Sequence, residues 1–274
     1  AALSGTIHPM SLTLLRFVVA AGLLLPIILY KKEYRQGVVN AFPRTLVMSF
    51  FFSIFFICMF EALKTTTALN TGALYTLVPA LTAIFGWFVF KEKLTLKISM
   101  VYLLGIAGTL WVIMEGNLAT LYQFDFNGGD ITFIIGCLSM VCYSVSMKLL
   151  YRKDAMLVIV FCTLVGGAFW MLLALFIIDQ PLQWQKLNSD LFLYMAYLAV
   201  CATLASTFIM KKTTVVLGPT KVMAYIYLSP VFVAFIMLIL EGKSIPSAII
   251  PGMLLSVAAT VTLQMQTRNK KVVA

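Results

Sequence analysis

The sequence predicts an all-α integral membrane protein, an inverted repeat of five-helix units with ten spans in the intact protein and nine in this chain. Three observations carry that expectation. First, hydrophobic residues make up 62% of the 274 and charged residues 11%, with a mean hydropathy of +1.00, whereas a water-soluble domain carries about a quarter charged residues. Second, the apolar runs approach the ~20 residues a helix needs to cross a hydrocarbon core, and they lack the every-second-residue alternation over ~10 residues that marks barrel strands. Third, the chain repeats. The stretch from Ala68 to Pro79, an apolar run and Lys91-Glu92-Lys93-Leu94 return as Pro219 to Pro230, an apolar run and Glu241-Gly242-Lys243-Ser244-Ile245. One shift of 151 residues lays Pro79 on Pro230, Leu94 on Ile245 and Gly108 on Ala259.

Taken in order, spans are expected at about 10–30, 45–63, 68–90, 97–115, 130–150, 155–178, 191–210, 219–240 and 246–266. Turn signals separate them: Asn127-Gly128-Gly129-Asp130 before the fifth, Gln180-Pro181 after the sixth and Leu217-Gly218-Pro219 before the eighth. Basic residues separate them too, and they alternate between the two sides. Lys31, Lys32, Arg35 and Arg44 lie on the same side as Lys91, Lys93 and Lys97, Lys148, Arg152 and Lys153, Lys211, Lys212 and Lys221, and Arg268, Lys270 and Lys271. Only Arg16, Lys64, Lys186 and Lys243 fall on the other. The richer side is expected to be cytoplasmic, together with the carboxyl terminus, in the cell (inner) membrane.

The repeat divides the chain into residues 1–126 and 127–274. Five spans follow Gly129 but only four precede it, so the first half is expected to lack its first helix, with Ala1 to Thr6 as that helix's tail. An odd number of spans per half turns the halves upside down relative to each other, the plan of many secondary transporters.

Several function classes are disfavoured. The formal charge of +10 is spread over short loops rather than one face, which argues against nucleic acid. The cysteines Cys58, Cys137, Cys142, Cys162 and Cys201 lie within apolar runs and imply no disulfide framework. His8 is the one histidine, so no metal site built from histidines is expected. Gly242-Lys243-Ser244 imitates the tail of a phosphate loop, but Met237 stands where its first glycine belongs. No catalytic group and no cofactor is expected.

The polar residues inside spans are the candidate site, since a polar group facing lipid costs free energy and turns inward to a partner or a wet cavity. Ser139, Tyr143 and Ser146 share one helix face, as do Thr203, Ser206 and Thr207. They read either as helix-to-helix hydrogen bonds or as a substrate cavity. The cavity set is Asn70, Tyr75, Thr76, Ser139, Tyr143, Ser146, Thr203, Thr207, Tyr225 and Tyr227. Pro79 and Pro230 are expected to loosen their helices and act as hinges. Glu61 and Lys64 stand three apart and read as an ion pair, or Glu61 as a proton- or substrate-sensing group. Arg16 reads as an anchor within snorkelling reach of the interface. Lys221 reads as a topology signal, or as an inward cation favouring an anionic substrate.

Several of these residues carry a family resemblance. His8-Pro9-x6-Arg16-Phe17-x2-Ala20, Ala68-x10-Pro79-x12-Glu92-x-Leu94 with Gly105-x2-Gly108, and Leu217-Gly218-x11-Pro230 with Gly252 resemble the EamA branch of the drug/metabolite transporter superfamily. The second half departs from the pattern, with Lys243 in the acidic register and Glu241 two residues earlier. The resemblance implies alternating access and export of a small amino-acid-like or related metabolite. Alternatives are an exchanger of sugar phosphates or nucleotide sugars and, from another class, a membrane-embedded lipid-modifying enzyme. Expected partners are a small-molecule substrate, the lipid bilayer and a second copy of the chain.

Overall fold

A computed structural model of the chain describes residues 7–117, 119, 125–186, 194–242 and 244–266. The expected tail at Ala1 to Thr6, the cation Lys243 and the terminal cluster at Arg268, Lys270 and Lys271 lie outside the described residues. Among the described residues there are no strands, and nine helices are long and apolar enough to cross a membrane. They are α1 (Pro9–Tyr30), α2 (Lys32–Ala62), α3 (Ala68–Phe90), α4 (Leu96–Ile113), α5 (Gly128–Leu150), α6 (Met156–Ile177), α7 (Tyr194–Leu217), α8 (Pro219–Leu240) and α9 (Ser247–Met265).

Local chemistry explains most of the ends. Pro9 and Pro219 open their helices at the first turn, where a missing N–H costs nothing. Thr67 and Thr95 cap α3 and α4 by accepting the backbone N–H of Asn70 and Ile98. Gly218, at φ 92°, makes the turn between α7 and α8, and Gly242, at φ 64°, ends α8 in the left-handed region.

Two ends differ from expectation. Helix α2 starts at Lys32 instead of about residue 45, because its first turns form an amphipathic extension that runs through Pro43 without ending. Helix α7 continues to Leu217, so Lys211 and Lys212 belong to a helix rather than a loop.

The chain forms two compact units, Ala1–Phe60 with Cys142–Val216, and Glu61–Val141 with Leu217–Ala274. Each draws helices from both repeat halves. In the first unit α1 packs on α6 and on the middle of α7. Gly167 lets the Phe17 ring approach α6, where a Cβ would stand 3.1 Å from the ring. Phe17 stacks on Phe52 at 5.7 Å, and Phe52 meets Tyr143 at 4.8 Å. Arg44 grips both carboxylate oxygens of Asp154, at 3.0 and 3.1 Å, and donates to the Leu150 carbonyl as well.

In the second unit α4 packs along α9. Thr109 and Ser256 share a hydrogen bond at 3.2 Å, and the Trp111 indole donates to the Ala248 carbonyl at 2.7 Å. A buried cluster of Ala83, Val101, Tyr102, Ala224, Tyr227, Ala259 and Leu263 gathers α3, α4, α8 and α9.

Candidate functional site

Helices α3 and α8 are both interrupted in the turn before their proline. In α3 the helix stops at Tyr75 and restarts at Val78, and the N–H groups of Thr76 and Leu77 reach back only three residues, to Ala73 and Leu74. In α8 a 3₁₀ turn, Tyr225–Leu228, separates Pro219–Ala224 from Ser229–Glu241, and Ser229 again bonds three residues back, to Ile226. The cause is common to both. Pro79 and Pro230 have no N–H for the carbonyl four residues earlier, and their rings crowd it, so the preceding turn tightens.

Both breaks border one cavity of about 540 Å³ inside the second unit. Tyr75 and Thr76 line it from α3, Ser229 and Pro230 from α8, Thr109 from α4, and Glu115 from just beyond α4. The rest of the wall is mainly apolar, including Val112, Ile113, Val233 and Met237. That size and composition suit a small organic molecule held by a few placed polar groups.

A second cavity of about 820 Å³ in the same unit is bordered by Lys91, Lys93, Lys97 and Lys221, with Tyr102 at its inner wall. Glu92 accepts the Thr220 hydroxyl there at 2.7 Å. Tyr102 and Thr109 are seven residues apart on α4, about 10 Å at 1.5 Å per residue. Tyr227 bridges that interval: its hydroxyl donates to the Tyr102 carbonyl at 3.3 Å, and its own carbonyl accepts from Thr109 at 3.3 Å. Its ring lies over Gly105, where a Cβ would come within 2.5 Å of it.

The other expected site residues fall in different surroundings. Asn70 is buried, and its amide donates to Asp130 and to the Asp125 carbonyl, both at 3.1 Å. Asp130, with no exposure at all, also accepts from the Thr66 hydroxyl at 2.5 Å and the Asn127 N–H at 3.0 Å. Glu61 and Lys64 form the expected ion pair, at 2.7 Å, on an exposed stretch. Tyr225 is 47% exposed and lines neither cavity. Ser139 is buried on α5. Tyr143, Ser146, Thr203 and Thr207 belong to the first unit, where all but the half-buried Ser146 are enclosed.

The first unit also holds a residue that sequence reasoning placed in a loop. Lys211 is 1% exposed, with its ammonium 4.9 Å from the centre of the Tyr143 ring and 3.6 Å from the Met147 sulfur. Among the described residues no carboxylate lies within ion-pairing distance of it. Taking an ammonium out of water costs several kcal/mol even after relaxation. A ring face offsets about 2 kcal/mol of that, and a thioether is a weak acceptor. The signal was present in the spacing: Thr203, Thr207 and Lys211 recur every four residues and so share one face of α7.

The comparisons with known proteins agree with this architecture. The model of the EamA-like transporter family matches residues 1–114 and 127–264. A protein described as the uncharacterized transporter YyaM of Bacillus subtilis (strain 168) is 23% identical over 232 residues, 83% of this chain and 75% of that one. A solved crystal structure superposes with a TM-score of 0.76 over 96% of this chain and 90% of the other, at 16% identity, a likeness of fold alone. With a match that spans nearly its whole length in two successive segments, the chain belongs to the EamA-like transporter family and is a multi-pass membrane transporter, not an enzyme.

Proposed function

We propose that the protein exports a small metabolite, amino-acid-like or related, from the cell by alternating access, with the carboxyl end in the cytoplasm of the cell membrane. The observation that carries this reading is the pairing of the two helix breaks. They stand at equivalent places of an inverted repeat, 151 residues apart at Pro79 and Pro230, and both border the cavity of about 540 Å³. Inverted repeats put their substrate sites where helices are interrupted, because a broken helix offers backbone polar groups to the cargo and bends with little added strain.

In this mechanism the Thr76 and Ser229 hydroxyls offer hydrogen bonds, Tyr75 supplies a flat aromatic wall, and the apolar side chains exclude water. Bending at the two breaks opens the cavity first to one side and then to the other. Purified protein in liposomes, tested for uptake of a labelled panel of neutral, anionic and cationic amino acids and small carboxylates, is expected to move at least one of them. Thr76→Val and Ser229→Ala together should reduce that flux. A protein that moves none of the panel, or whose flux is indifferent to the double change, contradicts the assignment.

A further inference from the structure

We infer that the first compact unit contains a site for a carboxylate-bearing anion, with Lys211 as its principal charge and Arg16 as a second one nearer the other end of α7. Each of the two basic residues lies on a helix long and apolar enough to cross a membrane, and neither has a carboxylate within ion-pairing distance among the described residues. Arg16 donates from Nε to the Thr203 hydroxyl at 3.0 Å. Lys211 has a ring face and a sulfur. Between them, Thr203, Thr207 and Lys211 descend one face of α7, all buried, over about 12 Å at 1.5 Å per residue.

A further observation points to a ligand rather than to packing. The Tyr143 hydroxyl is buried and has no hydrogen-bond partner among the described residues, although its ring faces the Lys211 ammonium at 4.9 Å. Buried donors are almost always satisfied, so such groups mark a place that something else completes. An anion would supply both the missing counter-charge for Lys211 and the missing acceptor for Tyr143. A carboxylate fits best, since it takes one charge-assisted bond from an ammonium and another from a phenol.

The site is closed in this structure, and α7 carries the means to open it. Residues Leu198–Ala205 form a π-helical segment containing Thr203, the partner of Arg16. Such segments are wide, weakly held turns found often at functional sites. A shift there moves Thr203 relative to Arg16 and changes the register of the face that ends at Lys211. Calling the bound anion the cargo rests on the transport function proposed above. The binding site itself does not.

The test uses the full chain in discs of zwitterionic lipid, so that no lipid headgroup offers a net negative charge. Thermal unfolding is followed with sodium acetate, benzoate and succinate, each against its neutral amide and against sodium chloride at equal ionic strength. At least one carboxylate is expected to raise the unfolding temperature above both controls, and Lys211→Met should abolish that shift. Lys211→Gln serves the same purpose if Lys211→Met is not recovered folded. Equal shifts from carboxylate, amide and chloride, or a carboxylate shift that survives whichever substitution is recovered folded, overturn the inference. Liposome flux separates the two claims. Flux of the neutral amides as fast as that of the matching carboxylates leaves transport standing and removes the carboxylate as the recognised group of the cargo. Selective carboxylate binding without flux removes the proposed cargo and leaves the site.

Discussion

Gly108 on α4 and Gly252 on α9 meet backbone to backbone. A Cβ on Gly252 would stand 2.8 Å from the Gly108 carbonyl oxygen, and one on Gly108 would stand 2.9 Å from that of Gly252. Small residues at such a crossing let two membrane helices approach closely enough for packing and polar contacts to hold them together. Here they bring Thr109 to Ser256 and Trp111 to Ala248. Gly108→Ala and Gly252→Ala are each expected to destabilise the protein in detergent by about 1–3 kcal/mol through overpacking. The double variant should lose less than the sum, because both changes push apart one contact. Strict additivity in thermal unfolding would count against this reading of the contact.

Asn70 and Asp130 lead to a second expectation. Asp130 has no exposure and accepts from Thr66, Asn70 and Asn127, so it clamps the start of α3 to the start of α5. Removing the Asn70 amide leaves part of a buried carboxylate without its donor, which costs about 1–3 kcal/mol. Asn70→Ala should therefore lower the unfolding temperature while leaving substrate affinity close to wild type in a binding titration. A large loss of affinity at unchanged stability would return Asn70 to the substrate cavity, where its sequence position first placed it.

The prolines are expected to act on rate. Pro79→Ala and Pro230→Ala restore an N–H to the helix and remove the ring that crowds the preceding turn, so neither should unfold the protein. Each is expected to slow flux roughly tenfold, about 1.4 kcal/mol on the barrier, with binding little changed and the double variant slower still. Initial rates and equilibrium binding, compared at equal protein density in liposomes, check this. Wild-type rates in the double variant would remove the hinges from the mechanism.

Much of this architecture was legible in the chain because a membrane span is written in length and hydropathy. Helices α3 and α8 begin and end where Ala68, Phe90, Pro219 and Leu240 suggest, and Pro79 and Pro230 mark the interruptions to within a turn. The glycines at 105, 108 and 252, first noticed as part of a family pattern, prove to be close approaches. What the sequence hid were charges whose setting depends on helix rotation. Lys211 and Lys212 look like one basic pair at a loop, yet successive helical residues point about 100° apart. One is buried against Tyr143 and the other is exposed. The start of α2 was hidden for a related reason: Lys32 to Arg44 reads as a polar loop, and its helical form depends on what its apolar side packs against, as Ala41 does with Val158 and Cys162.

The most direct test of the account is trans-stimulation in liposomes. A carrier that alternates must return its site to the first side, and a loaded site and an empty one return at different rates, whereas a pore has no site to return. Liposomes preloaded with the unlabelled substrate identified from the panel are diluted into a trace of the labelled form. The account predicts transient uptake of label above equilibrium, abolished when the interior is empty of substrate. Label that only equilibrates, at a rate independent of the substrate inside, would contradict alternating access.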